Sequence, residues 1–214
     1  MRAFSSEPTR LEAPGLALRH WPSWLLVEAP LAGLAIHTLE RHLREELPWE
    51  QPTLRLHGRP LPMPRLCCWI ADPGFAYRYS GQTHQPQPWS LPLLQLRQLL
   101  EDQIGWRFNS VLLNRYRDGD DAMGWHADDE AALEAEAPIA SLSLGASRSL
   151  RFRPSPGGAA AGRPPLTLEL ADGDLLVMDP PTQRQWQHAL PRRRRVACER
   201  INLTFRRIRV GQPG

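Results

Sequence analysis

The sequence predicts an α+β chain that is mainly β: a double-sheet barrel flanked by helices in its N-terminal part. Three observations predict it. Two amphipathic helical stretches fall before residue 105, short apolar segments crowd the chain from Phe108 onwards, and 22 prolines and 15 glycines punctuate the 214 residues. Proline and glycine interrupt regular structure, so this density suits many short strands joined by turns. Helices first and strands afterwards point to a flanked barrel, not to alternating βαβ units.

Taken in order, residues 1–20 are expected to form a flexible extension and residues 21–210 a single domain, with no linker or repeat dividing it. The apolar stretch around Leu25–Ile36 is interrupted by Glu28 and Pro30 and is far too short to span a membrane. Leu31 to Leu47 reads as an amphipathic helix with Leu34, Leu39, Leu43 and Leu47 on one stripe, ended by Pro48. Cys67 and Cys68 fill an apolar strand. Leu91 to Ile104 reads as a second helix, with Pro92 in the first turn, where its missing N–H costs nothing. Strands follow at 111–116, 139–144, 150–152, 166–170, 175–178 and 201–205. Between them Gly157–Gly162 reads as a mobile loop of small residues.

Composition bounds the setting. The three cysteines make neither a disulfide framework nor a zinc-ligand spacing, which suits a reducing cytoplasm, and no cleavable leader pattern is evident. All 26 basic residues are arginine, most cheaply explained by codon bias, and the formal charge is +3. A polyanionic partner fits that balance without being required by it. No membrane association is expected, and nothing suggests an obligate partner, so the chain is expected to be a monomer.

The most informative segment is Arg200-Ile201-Asn202-Leu203-Thr204-Phe205-Arg206. As a strand it places Arg200, Asn202, Thr204 and Arg206 on one face and three apolar residues on the other. The plain reading is an edge strand whose polar face meets solvent; facing inward, two guanidiniums need an anionic partner, and a dicarboxylate would suit. Upstream, His126 and Asp128 lie two apart, on one side of an extended segment, and His188 follows at a distance. Two histidines and one carboxylate form the facial triad of non-haem iron(II) oxygenases, which leaves coordination positions open.

With these residues the chain resembles the AlkB-type iron(II)/2-oxoglutarate dioxygenases, more narrowly the subgroup of AlkB homologues 2 and 3 and its bacterial relatives. The matching pieces run in order: Glu46–Glu50, Pro64-Arg65, Tyr77–Gly81, Phe108–Tyr116, Asp118-Gly119, His126–Glu130, Pro138–Gly145, Pro181-Thr182, His188–Pro191 and Arg200–Arg206. They cover roughly Trp21 to Ile208. The resemblance implies a double-stranded β-helix (jelly-roll) core at about 106–208 and a substrate-lid hairpin region at about 52–90. It implies that His126, Asp128 and His188 hold Fe(II), and that 2-oxoglutarate and O2 are consumed there. Arg200, assisted by Tyr116 and Asn202, would take the distal carboxylate of 2-oxoglutarate; Arg206, with Asn114 nearby, would face the metal-side carboxylate.

The implied reaction is oxidative demethylation of N-alkylated bases such as 1-methyladenine and 3-methylcytosine in DNA, single-stranded or duplex, and by extension RNA. It releases formaldehyde, succinate and CO2. A related dioxygenase acting on RNA modifications or on a protein side chain is the alternative. Tyr77 and Tyr79 match the lid, where an aromatic stacks on an extruded base, although a cross-strand pair needs no ligand. Glu130 matches a base-contacting position, and Asp129 either orients Arg206 or belongs with Glu130 to a solvated acidic turn. Arg148 is assigned to a phosphate or the flipped nucleotide, against the reading of an exposed strand arginine. In the run Arg192–Arg195, Arg193, Arg194 and Arg195 correspond to a basic loop that contacts the strand opposite the lesion; a solvated charge run is the plainer reading. His57 stands where relatives carry an aromatic wedge, a departure from the pattern that leaves duplex preference open.

Overall fold

Several strands bury residues on both faces, Ile139–Leu144, Leu175–Met178 and Arg200–Phe205 among them. A strand buried on both faces needs a layer on each side. The computed structural model describes residues 7–56, 59–75, 77–79 and 82–209 and supplies both layers. Along the chain come β1 (Thr9–Ala13), β2 (Leu16–Trp21), α1 (Trp24–Leu31), and α2 (Ile36–Arg41), which runs on into a π-helical turn, His42–Glu46. Next are β3 (Thr53–Leu56), β4 (Arg59–Pro62), β5 (Leu66–Ala71), β6 (Tyr77–Tyr79), β7 (Gln82–His84), α3 (Leu91–Ile104), β8 (Ser110–Tyr116) and β9 (Met123–His126). The last part holds β10 (Ile139–Gly145), β11 (Arg148–Pro154), β12 (Leu166–Leu170), β13 (Leu175–Met178), α4 (Thr182–Gln185), β14 (Trp186–Leu190) and β15 (Arg200–Arg206).

The strands form a seven-stranded sheet in the order β1-β2-β13-β10-β15-β8-β5 and a four-stranded sheet in the order β12-β11-β14-β9, with β3-β4 and β6-β7 as separate hairpins. All pairings within the sheets and hairpins are antiparallel. One face of the major sheet (Leu142, Leu175, Leu203, Phe205 and neighbours) packs under α1, α2 and α3 through Leu25, Leu39, Leu96 and Leu100. Its other face meets the minor sheet, where Leu18, Tyr116 and Met178 touch Phe152, Leu170 and Trp186. This is the jelly-roll sandwich, and the site lies between its sheets.

Three expectations need correction. Residues 1–20 are not simply a flexible extension: Thr9–Ala13 pairs with Leu16–Trp21, and the latter pairs with β13. The alternation Leu16, Leu18 inward against Ala17, Arg19 outward makes this a sheet strand, and Leu18 is fully buried. The single helix read over Leu31–Leu47 is also divided. Pro30 lies in the last turn of α1, and Gly33 turns the chain at φ +75, so a new helix starts at Ile36. Helix α3 matches its reading, closed by Gly105 in the left-handed conformation. The loop at Gly157–Gly162 is held rather than loose: Ala160 is buried in the inter-sheet core, and Gln185 Oε1 accepts the Ala159 N–H at 3.0 Å.

Candidate active site

The polar face of β15 looks into the space between the sheets. Register places Arg200 opposite Tyr116, Asn202 opposite Asn114 and Arg206 opposite Ser110, so these side chains share a face. Arg200 is only 2% exposed; its Nη2 donates to Ser143 Oγ at 2.8 Å, and its guanidinium lies 5.5 Å from the Tyr116 ring. Burial lowers its pKa to about 10, still a cation at neutral pH. The Nε–H of Arg200 and that of Arg206 are buried without an acceptor among the described residues. A buried guanidinium N–H without a partner is costly, so both mark places for an anionic ligand. Asn202 differs from expectation: its amide donates to Ser141 Oγ at 2.8 Å and Leu142 O at 2.9 Å, and its oxygen accepts from Thr204. Both its donors are spent inside the sheet.

His126 and His188 face each other across β9 and β14, with ring centroids 4.1 Å apart. The register slips between them and the Leu190–Met123 pair, a bulge that turns both Met123 and His126 towards the interior. His126 Nδ1 lies 2.9 Å from Gly124 O, which leaves Nε2 for the site. Asp128 follows on the loop, its backbone N–H donating to Gln183 Oε1 at 2.9 Å and its Oδ1 taking Arg206 Nη2. One ligand atom from each of His126, Asp128 and His188 comes within 4.8 Å of the others, a group that can hold a metal ion. Burial, reinforced by nearby His126, lowers His188 to about 3, so its imidazole is neutral, the form that ligates. Burial alone would raise the Asp128 carboxyl, but Arg206 with the two histidines holds it below its ordinary range. Two imidazoles and a carboxylate are the donor set that suits iron(II).

Beyond this group opens a cleft of about 450 Å³, lined among others by Met63, Arg65, Trp69, Met123, His126 and Glu130. Glu130 is exposed and lines this cleft. Asp129 is exposed, and Asp128, not Asp129, orients Arg206. Arg148 must be corrected. It is 1% exposed and donates to Asp118 O, Asp121 O and Pro191 O at 2.8–3.0 Å, so its charge is used up tying loops together and cannot meet a phosphate. Arg193 and Arg194 are exposed and lie outside the cleft lining, near Glu169 and Asp120 respectively; Arg195 is exposed as well. Tyr77 and Tyr79 pair with His84 and Gln82 in the β6–β7 hairpin, and His57 lies outside the described residues.

Sequence reasoning passed over two partners. Arg65 is buried and donates Nε to Asn114 Oδ1 at 2.9 Å, so Asn114 is fixed by a second arginine from β5's approach. Its only signal was the Pro64-Arg65 pair. Gln183, which holds Asp128, carried no signal, because the contact joins residues far apart in the chain.

The model of the 2OG-Fe(II) oxygenase superfamily matches residues 18–206. Mouse DNA oxidative demethylase ALKBH2 is 41% identical over 176 residues, covering 78% of this chain and 73% of that protein. The chain belongs to the AlkB family of these dioxygenases. Human DNA oxidative demethylase ALKBH2 is 42% identical over 158 residues (72% of this chain, 60% of that protein). Rat alpha-ketoglutarate-dependent dioxygenase alkB homolog 3 is 38% identical over 175 residues (79% and 58%). The matched segment thus spans less than two thirds of the human and rat proteins. The solved structure of OsALKBH1 superposes with a TM-score of 0.59 over 93% of this chain and 100% of that chain; at 14% identity it speaks for the fold alone. As an AlkB-family dioxygenase of the ALKBH2 and ALKBH3 type, the protein uses Fe(II), 2-oxoglutarate and O2. The two unmatched guanidinium N–H groups fit the two carboxylates of 2-oxoglutarate. Among the described residues no helix is long and apolar enough to cross a membrane.

Proposed function

We propose that this dioxygenase repairs N-alkylated bases, 1-methyladenine and 3-methylcytosine, in DNA and by extension RNA. Iron(II), when bound with 2-oxoglutarate and O2, supplies oxidation of the N-methyl carbon, which leaves as formaldehyde with succinate and CO2 as coproducts. His126, Asp128 and His188 hold the metal. Arg206 orients Asp128 and faces the metal-side carboxylate beside Asn114. Arg200, under the Tyr116 ring, neutralises the distal carboxylate. Glu130 meets the base edge in the cleft, and Tyr77, Tyr79 and His57 belong to the lid that covers the extruded base. Arg193, Arg194 and Arg195 contact the nucleic-acid backbone. The observation that carries the reading is the pair of acceptorless buried guanidinium N–H groups beside the His–Asp–His group, at the foot of a cleft roomy enough for a base. The names of the mouse and human relatives, DNA oxidative demethylase, support the substrate class.

The test loads purified protein with Fe(II) anaerobically, then adds 2-oxoglutarate, O2 and oligonucleotides carrying either lesion as single-stranded DNA, duplex DNA or RNA. Restored base and formaldehyde are expected in equal amounts from DNA. No restoration on any substrate, with iron bound, overturns the proposal. His126→Ala abolishes turnover, whereas Arg200→Ala chiefly raises the KM for 2-oxoglutarate, by about tenfold or more for loss of a charged pair.

A further inference from the structure

The outer face of the minor sheet carries a row of guanidiniums, two of which, Arg151 and Arg153, none of these roles uses. Side chains two apart on β11 share a face. Phe152 and Leu150 point into the inter-sheet core, so Ser149, Arg151 and Arg153 point out. Arg153 donates Nε and Nη2 to Gln187 Oε1 at 3.0 and 2.8 Å, and its guanidinium carbon lies 4.4 Å over the Trp125 ring. The stack fixes the guanidinium plane and leaves Nη1 without an acceptor among the described residues. Arg151 is exposed, sits opposite Thr167, and makes no ion pair among the described residues. Arg193 Nη1 donates to Ser149 Oγ at 3.0 Å, which brings a third guanidinium to the next position in the same row. Among the described residues Glu169 pairs with Arg193, and neither Arg151 nor Arg153 makes an ion pair.

Trp125 directly precedes the proposed metal ligand His126, so the row begins on the reverse of the strand that carries this ligand. Successive outward residues lie about 6.8 Å apart along a strand. That is on the order of the distance between neighbouring phosphates, which wind around the helix axis, so Arg153 and Arg151 can meet successive phosphates of one strand. An acidic sugar–phosphate chain is the complement of a row of cations on an aromatic platform.

We propose that Arg153, Arg151 and Arg193 on the outer face of the minor sheet form a phosphate track that holds nucleic acid outside the cleft. The proposal rests on the repair reading for its ligand but not for its test. The measurement is equilibrium binding of an unmodified 20-base-pair DNA duplex over a range of salt, with no turnover required. Arg151→Gln/Arg153→Gln is compared with the wild type and with Arg41→Gln/Arg107→Gln, which removes the same charge from exposed sites elsewhere. Each phosphate contact contributes about 0.9 to the slope of log K against log salt. The track variant is therefore expected to lower the slope by close to two such contacts and weaken binding about tenfold or more at low salt, while the control changes little. A slope unchanged from wild type, an equal effect in the control, or no duplex binding by the wild type overturns the track. Turnover of a 3-methylcytosine trinucleotide, too short to reach the row, stays at the wild-type rate in the track variant. Its absence in wild type and variant alike would count against the repair reading alone, and its loss only in the variant would overturn the track.

Discussion

Individual residues divide between those that serve a ligand and those that serve the fold, and charge alone does not separate them. Arg148 and Arg200 are both almost fully buried, yet Arg148 satisfies three carbonyls whereas Arg200 keeps an N–H without an acceptor. Arg148→Met should therefore cost about 2–4 kcal/mol in urea unfolding, typical of a broken buried network, and leave the salt slope of DNA binding unchanged. A changed slope with full stability would return Arg148 to the phosphate. His188 gives a pH dependence. Its pKa in the fold, about 3, lies below its ordinary 6.5, so the unfolded chain binds the extra proton between those values. In metal-free protein its contribution is complete above pH 6.5 and declines as pH falls towards 3. Asp128, also held low, adds to the loss below its ordinary 3.8. Stability of His188→Gln followed by denaturant titration should fall less steeply across that window. At this scale the sequence was most readable where a residue type has few uses, as in His126-x-Asp128, and least where an arginine could equally pair with backbone.

Local elements translate spacing into geometry, and the β9 bulge is the clearest case. Met123 and His126 are three apart, a spacing that puts them on opposite faces of a regular strand; both line the interior because the register slips. Deleting Gly124 leaves Met123 and His126 two apart, the spacing that a regular strand puts on one face, so His126 should stay turned inward and metal binding should persist, measured by the visible spectrum of Co(II)-substituted protein. Lost Co(II) absorption would mean that the bulge itself, through the contact of Gly124 O with His126 Nδ1, sets the ligand. The basic segment after β14 is similarly fixed by its backbone. Gly119 N–H donates to Val196 O and Gly119 O accepts from Arg193 N, both at 2.7 Å, and a Cβ on Gly119 would lie 1.9 Å from Arg193 O. Gly119→Ala should lower the unfolding free energy by about 1–3 kcal/mol, as overpacking does, and weaken DNA binding through the displaced arginines. Helix α3 and strands β12 and β13 could be read closely from their apolar patterns. Strand β9 could not, because a four-residue strand with a bulge has no period to detect.

Across the whole molecule, what the sequence concealed was the closure of the sheet. The first strands, read as a flexible extension, cover β13 with Leu16 and Leu18. Removing residues up to Trp21 should destabilise by several kcal/mol in thermal unfolding, since each buried leucine contributes about 1.5–3 kcal/mol. Pairings between the two ends of a chain leave no local trace, which is why the middle strands were legible and this edge was not. The same long-range construction divides the site between two layers. His126 and His188 belong to the minor sheet, Arg200 and Arg206 to the major one, and the Asp128 carboxylate touches Arg206. Whatever fills the site is a crosslink between the sheets, and its free energy of association is added to that of folding. At a hundredfold excess over Kd this linkage is about 2.7 kcal/mol for one ligand. The melting temperature of the protein is thus itself a gauge of how much metal and keto acid it carries.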